Sequence, residues 1–211
     1  MMRKNPWKLA ACVFGAAVLV VSALPAQEVA SNIVGYVKVD LMAGDFSLLS
    51  TPFNQVGGSA NTVAGVIGDQ VGDGSSVFVY NGANYDAATK LPVIGWSPGT
   101  LELARGAGFW IQSAADATVL LMGEVPEEDT TVSLAAGDNL VGNPVPVEGT
   151  LTASGLAGAP AGTSAFFWNG SGYDAATSLP VVGWSPDSAL QIGEGFWVNI
   201  AGDFDWTEPA P

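Results

Sequence analysis

Residues 78–98 read FVYNGANYDAATKLPVIGWSP, and residues 166–186 read FFWNGSGYDAATSLPVVGWSP. The two stretches are identical at 15 of 21 positions and lie 88 residues apart. A self-match of this length indicates that one supersecondary unit has been duplicated. Each half of the chain is therefore a comparison for the other, because a residue kept in both copies is needed by the fold or needed twice by the function.

The duplication extends beyond this stretch. Further matches follow in the same order along the chain: VDLMAGD (39–45) with VSLAAGD (132–138), LLSTPF (48–53) with LVGNPV (140–145), TVAGVIG (62–68) with TASGLAG (152–158), and GAGFWI (106–111) with GEGFWV (193–198). We predict a first β repeat over 27–124 and a second over 125–211. The junction at 124–129 is charged and contains a proline, as expected of an exposed connection.

Almost every matched segment is typical of a β-strand. Short runs of β-branched and aromatic residues alternate with glycine and proline, which is the pattern of small all-β domains. Asn81-Gly82 and Asn169-Gly170 predict hairpins with type I′ turns. Only 61–68 suggests a short helix, capped by Asn61. We expect an all-β fold of two β-sandwich or barrel-like repeats that pack as one pseudo-twofold body.

The first 26 residues predict a secretory signal peptide. Arg3, Lys4 and Lys8 precede an apolar run over 9–24, and small residues follow it, with cleavage expected after Ala26. The run is short for a membrane span, which needs about 20 residues. We therefore expect a protein that is secreted, on the cell surface or in the periplasm, with no integral membrane span after cleavage.

The composition excludes several classes of function. The chain has no histidine, and its single cysteine, Cys12, lies in the predicted leader, so Ser-His-Asp and Cys-His catalysis and the usual zinc sites are excluded. The net charge is −14, and residues 27–211 hold three basic against 20 acidic residues. A nucleic-acid partner is excluded because it needs a basic surface. No cofactor motif is evident.

Carboxylates are the remaining candidates for catalysis or metal binding. Asp86 with Asp174, and Asp45 with Asp138, are equivalent pairs, but each lies beside a turn, where aspartate usually bonds to nearby backbone. Asp69 and Asp73 lie in a glycine-rich loop that could ligate calcium, although the spacing is not that of an EF-hand. The second repeat has no acid in the equivalent loop, so an ordinary turn is the simpler interpretation.

The repeated aromatic residues allow two interpretations. Trp96 pairs with Trp184, Tyr85 pairs with Tyr173, and Trp110 pairs with Trp197 across the repeats. Adjacent strand residues point to opposite faces, so Trp110 beside Phe109 either contacts the sister repeat or is exposed. Such rings either fill the core and the contact between repeats or form a platform for sugar stacking. The GWSP segments favour Trp96 and Trp184 for such a platform, together with Tyr85 and Tyr173.

The combined motifs resemble a group of exported tandem-repeat β-proteins of environmental bacteria that has no assigned function. The resemblance covers about 33–200 and rests on the opening strand IVGYV, an L-x-x-x-P-F/V segment, the WNG-x-GYD hairpin, the GWSP loop and the GEGFWV strand. It implies export and a duplicated β fold, and it identifies no site residues.

These observations favour a non-catalytic exported protein that acts as a structural or interaction component of the cell envelope or extracellular matrix. Its partners would be copies of itself or other envelope components. The alternative is a carbohydrate-binding module that uses the repeated aromatic residues on a polysaccharide.

Overall fold

The structure is a computed structural model and describes residues 32–211, which form one compact unit. The predicted signal peptide, 1–26, and the first residues of the predicted first repeat lie outside the described residues. Within 32–211, no helix has the length and apolar character needed to cross a membrane.

The described residues are predominantly strand, which confirms the all-β prediction. The strands are β1 (Val34–Leu41), β2 (Phe46–Ser50), β3 (Ser76–Tyr80), β4 (Tyr85–Leu91), β5 (Gly95–Ser97), β6 (Gly108–Gln112), β7 (Ala117–Glu124), β8 (Thr130–Leu134), β9 (Gly137–Gly142), β10 (Gly149–Thr150), β11 (Ser164–Trp168), β12 (Tyr173–Leu179), β13 (Gly183–Ser185), β14 (Ala189–Leu190), β15 (Gly195–Ile200) and β16 (Phe204–Glu208). The helical segments are α1 (Val63–Val66) and 3-10 turns at Val56–Gly58 and Gly155–Gly158.

Two five-stranded antiparallel sheets have the same strand order. The first runs β2-β6-β3-β4-β5, and the second runs β9-β15-β11-β12-β13. Each is accompanied by a two-stranded ribbon, β1 with β7 and β8 with β16, and the short strands β10 and β14 also pair. No pairing in the described part joins the two ends of either sheet, so the sheets are open and the barrel-like alternative is wrong.

The inner face of each sheet packs on its ribbon. In the first repeat, Val77 and Ile111 of the sheet share a buried cluster with Val119 and Leu121 of the ribbon and with Val63 of α1. All five are fully buried, as expected when one face of an alternating strand covers a core. A second cluster joins β11, β12 and β15 to the ribbon β8–β16, and Trp206 is its largest fully buried side chain.

The Asn-Gly hairpins form, but their turns differ from the prediction. Four residues, 81–84, separate β3 from β4, and of the Asn-Gly pair only Gly82 has a positive φ, 93°. The Asn81 side-chain oxygen instead accepts hydrogen bonds from the backbone N–H groups of Ala83 and Asn84. Asn169 does the same in the second repeat. The type I′ prediction is wrong because the asparagine side chain completes the turn.

The predicted short helix is present but shorter. It covers Val63–Val66, and its cap is Thr62, whose hydroxyl accepts a hydrogen bond from the Gly65 N–H. The Asn61 side chain is used elsewhere: it accepts from the Gln55 N–H and donates to the Phe53 carbonyl, both at 2.8 Å. The expected cap residue therefore fixes the preceding loop.

A strained turn follows β4 and recurs after β12. The N–H of Ile94 donates to the carbonyl of Pro92 at 2.8 Å, which places Val93 at φ 69°. The second repeat has the same bond from Val182 to Pro180, with Val181 at φ 70°. Both central valines are fully exposed. Positive φ is uncommon for a β-branched residue, so each copy carries local backbone strain at an apolar tip.

The two sheets meet at strands β2 and β9. The N–H of Ser50 donates to the carbonyl of Gly193 at 2.9 Å, and the N–H of Gly142 donates to the carbonyl of Gly106 at 3.0 Å. In the sequence match Ser50 corresponds to Gly142 and Gly193 to Gly106, so exchanging the repeats converts one bond into the other. Paired contacts of this kind are those that a twofold relationship produces.

Glycines permit this close approach. A Cβ on Gly108 would lie 2.9 Å from the Val141 carbonyl oxygen, and one on the equivalent Gly195 would lie 2.7 Å from the Leu49 carbonyl oxygen. The neighbouring backbone therefore leaves no room for a side chain at either residue. We call this contact between β2 and β9, with the first residues of β6 and β15, the seam.

Candidate ligand-binding groove

Strand alternation places a row of aromatic rings on the face of each sheet that points away from its core. In β3, Val77 is buried while Phe78 and Tyr80 lie on the other face. In β6, Phe109 and Ile111 are buried while Trp110 lies opposite them. The register pairs Phe78 with Trp110 across β3 and β6, so the rings are neighbours on one surface.

The outer rings of both repeats form one open groove with a volume of about 430 Å³. Every residue that lines it is aromatic, and none is charged: Phe46, Phe78, Tyr85, Trp110, Trp168 and Tyr173. Four come from the first repeat and two from the second, so the groove exists only where the repeats meet.

Ring contacts across the seam are also paired. Trp110 and Trp168 have centroids 5.3 Å apart and planes at 81°, while Tyr80 and Trp197 have centroids 4.9 Å apart and planes at 71°. Trp110 corresponds to Trp197 and Tyr80 to Trp168 in the sequence match. Edge-to-face packing at these distances is favourable for aromatic pairs. The tryptophan of each Phe-Trp pair therefore packs on the sister repeat. This is the first of the two alternatives that the sequence left open for Trp110.

The groove rings are held in place by a hydrogen bond and by ring packing. The Trp168 indole N–H donates to the Phe46 carbonyl at 3.0 Å, which joins β11 to the start of β2. Tyr173 packs against Trp168 at 5.3 Å. Burial raises the pKa of Tyr85. A ligand would thus meet rings that are already fixed, which reduces the entropy cost of binding.

Tyr85 and Tyr173, the two tyrosines that the sequence paired, both lie on the groove. Their exposed fractions are 46% and 45%. The sequence interpretation did not assign Trp168, Phe46 or Phe78 to a site. The signal for Trp168 was its equivalence to Tyr80. Phe46 gave no signal, because the strand register places Asp138 at the equivalent position of the second repeat.

Trp96 and Trp184 require a correction. They belong to the buried clusters of the two repeats, with exposed fractions of 8% and 4%. Their indole N–H groups donate to the carbonyls of Gly68 and Leu156, at 2.8 and 2.9 Å. A ring enclosed in this way offers no face to a sugar, so these two residues are core residues and the platform hypothesis is wrong for them.

The acidic candidates lie apart from the groove lining. Asp69 forms an ion pair with Lys90 at 3.1 Å, and within residues 32–211 no cluster of three potential metal-ligating side chains occurs. The carboxylates of Asp86 and Asp174 accept hydrogen bonds from Asn81 and Asn169 of their own hairpins, both at 3.2 Å. These bonds match the turn role that the sequence favoured for this pair.

Comparisons of the chain with protein-family models, with curated proteins and with solved structures found no match.

Proposed function

We propose that this protein binds carbohydrate chains without transforming them, and that the groove between the repeats is the binding site. The observation that carries the proposal is a surface of six aromatic rings and no charged side chain, formed jointly by both repeats. Sugar rings present flat C–H faces, and Tyr and Trp provide rigid surfaces that stack on them while keeping a polar edge for water.

The residues around the rim of the groove are polar, which suits a ligand with polar groups at its edges. The loops beside Tyr85 and Tyr173 present asparagine and aspartate side chains, including Asn81 and Asn169. Ligand sites are typically apolar surfaces with a few polar groups that set orientation. Aromatic side chains, rather than Leu or Ile, distinguish this groove from one suited to an aliphatic chain.

Binding of polysaccharides and oligosaccharides to residues 27–211, measured by isothermal titration calorimetry, tests the proposal. The double variant Tyr85→Ala plus Tyr173→Ala removes two half-exposed rings, each contributing about 1 kcal/mol, so the affinity falls about 30-fold. The matched control is Tyr36→Ala, a tyrosine on β1 that is 71% exposed and outside the groove lining. Equal affinities for the wild type and the double variant would refute the groove as the site.

A second candidate function is assembly in the cell envelope or extracellular matrix. The exposed apolar turns favour it, because Val93 and Val181 bear their side chains fully in solvent at a strained φ in both repeats. Sedimentation velocity at increasing concentration tests this candidate, with Val93→Ser plus Val181→Ser as the variant. A species that stays monomeric throughout would reject it.

A further inference from the structure

Arg105 lies in a crevice on the first-repeat side of the seam. The crevice has a volume of about 260 Å³ and is lined by residues of both repeats, among them Arg105, Tyr80, Asp138 and Asn139. Arg105 directly precedes Gly106, whose carbonyl accepts the seam hydrogen bond from Gly142. Its backbone position is therefore fixed by the contact between the repeats.

The guanidinium of Arg105 is incompletely satisfied. Its Nη1 is buried and has no hydrogen-bond partner within the described part of the chain. The other two basic residues there, Lys38 and Lys90, form ion pairs with Asp40 and Asp69. Burial lowers the pKa of Arg105, although an arginine remains protonated at neutral pH. A buried cationic donor without an acceptor destabilises the folded state.

The second repeat provides a comparison for this crevice. The equivalent crevice is lined by Ile192 and Trp168, at the positions that correspond to Arg105 and Tyr80, and also by charged residues, among them Lys38 and Glu194. The two crevices therefore differ at this position, where the first repeat has the cation Arg105 and the second has Ile192. Packing at the seam does not require the arginine, because isoleucine occupies the same place in the sister copy.

Among the residues that line the crevice, the acidic one is Asp138. Its carboxylate accepts a hydrogen bond from the Asn199 side chain at 2.6 Å, and no ion pair joins it to Arg105 within the described residues. The Nη1 donor of Arg105 therefore has no acceptor among the described residues.

The crevice adjoins the groove through Tyr80. That ring lines the crevice, and its centroid is 5.6 Å from the ring of Tyr85, which lines the groove. A chain-like ligand that stacks on Tyr85 can therefore continue past Tyr80 toward Arg105.

From these observations we propose that Arg105 binds the carboxylate of one acidic sugar in a glycan whose neutral rings occupy the groove. This inference rests on the proposed carbohydrate binding. Guanidinium and carboxylate form charge-assisted, often bidentate hydrogen bonds. The net charge of −14 argues against a polyanionic ligand, which the whole molecule would repel, so the fitting ligand carries few acidic groups among neutral ones.

Calorimetric titration with matched ligands tests this proposal. The probes are gluco-, xylo- and galacto-oligosaccharides, each used as the neutral chain and as the same chain bearing one uronic acid. Wild-type protein binds the acidic member of the bound pair at least about tenfold more tightly. Arg105→Gln abolishes that preference and leaves the affinity for the neutral chain unchanged.

Two further variants make the result specific. Arg105→Ile introduces the residue that the second repeat has at the equivalent position, 192. The variant should therefore fold, and it should also abolish the preference for the acidic ligand. Lys38→Gln removes one positive charge on β1 and preserves the preference. An unchanged preference in both Arg105 variants overturns the role of Arg105 while the groove stands. Binding of neither member of any pair by wild-type protein overturns the proposed function and this inference together.

Discussion

Val93 and Val181 show how a single residue can be retained against its own conformational preference. A non-glycine residue in the left-handed region costs about 1–3 kcal/mol. Neither valine offsets that cost by burial, since both side chains are fully exposed. The same turn is present in both repeats, with the same hydrogen bond across the central residue.

Replacing Val93 by glycine should stabilise the protein. Glycine adopts φ 69° without strain, and the lost side chain makes no buried contact, so the free energy of unfolding rises by about 0.5–1 kcal/mol after the entropy cost of glycine. Urea denaturation measures the change. The matched control is Val182→Gly, because Val182 is exposed and does not have a positive φ. This variant should be less stable than wild type. A gain at both positions would refute the strain argument.

Asp187 should contribute to the acid sensitivity of the fold. Hydrogen bonds from the Thr152 backbone N–H and the Thr150 hydroxyl, both at 2.9 Å, hold the pKa of its carboxyl below its ordinary value of 3.8. The folded state then binds fewer protons than the unfolded state, so the stabilisation is present above about pH 4 and is lost as the pH falls below it.

The variant Asp187→Asn should therefore lose less stability than wild type between about pH 5 and pH 2, measured by chemical denaturation. Glu194→Gln is the comparison with the opposite sign. Burial raises the pKa of Glu194, so its protonation favours the folded state on acidification, and removing it makes the acid loss steeper. Parallel pH profiles for both variants and wild type would contradict these assignments.

The individual aromatic residues were only partly predictable from the sequence. The pairing of Tyr85 with Tyr173 indicated a repeated role, and both lie in the groove. Trp96 was misinterpreted because Gly95 and Pro98 suggest a loop. In the structure the residue lies in the short strand β5, and its indole N–H bonds to the Gly68 carbonyl. Local composition does not reveal which backbone carbonyl a distant loop will present.

At the level of elements, the strands were predictable and their connections were not. Alternating apolar residues in β3 and β6 follow directly from one buried face. The hairpin loops could not be derived in the same way, because the Asn81 side chain competes with the backbone for the turn hydrogen bonds. The close approach of β6 and β9 likewise depends on a contact between residues far apart in sequence.

The glycines of the seam should tolerate no side chain. Gly108→Ala forces a Cβ to 2.9 Å from the Val141 carbonyl oxygen, and strand shifts that relieve it cost about 1–3 kcal/mol of unfolding free energy. Gly195→Ala should cost a similar amount. Gly149→Ala is the control, since a Cβ there meets nothing within 4 Å. Thermal denaturation measures the stability of all three variants. Equal melting temperatures would show that the seam has room for a side chain at Gly108 and Gly195.

For the whole molecule, two buried clusters are joined by a limited set of contacts. Each cluster belongs to one repeat and is closed by its own ribbon. Single domains usually unfold in one step when their parts stabilise one another. The hydrogen bonds and ring contacts of the seam are the interactions that link the two clusters.

Wild-type protein should unfold in a single transition that is the same by far-ultraviolet circular dichroism and by tryptophan fluorescence. The double variant Gly108→Ala plus Gly195→Ala weakens the link, so the two clusters unfold separately and the two probes diverge. Coincident transitions in the double variant would mean that the seam contributes little to cooperativity. The variant Gly149→Ala should behave as wild type.

The paired hydrogen bonds of the seam also bear on how such a molecule can change over time. A contact that is unchanged when the two partners are exchanged could also join two separate identical chains. That association would depend on the concentration of the chains. Here the segment 125–129 connects β7 to β8 and keeps the partners together at a fixed, high local concentration. Once joined, equivalent positions are free to diverge independently. Arg105 and Ile192 have done so, and a symmetric pair of separate chains could not have acquired one without the other.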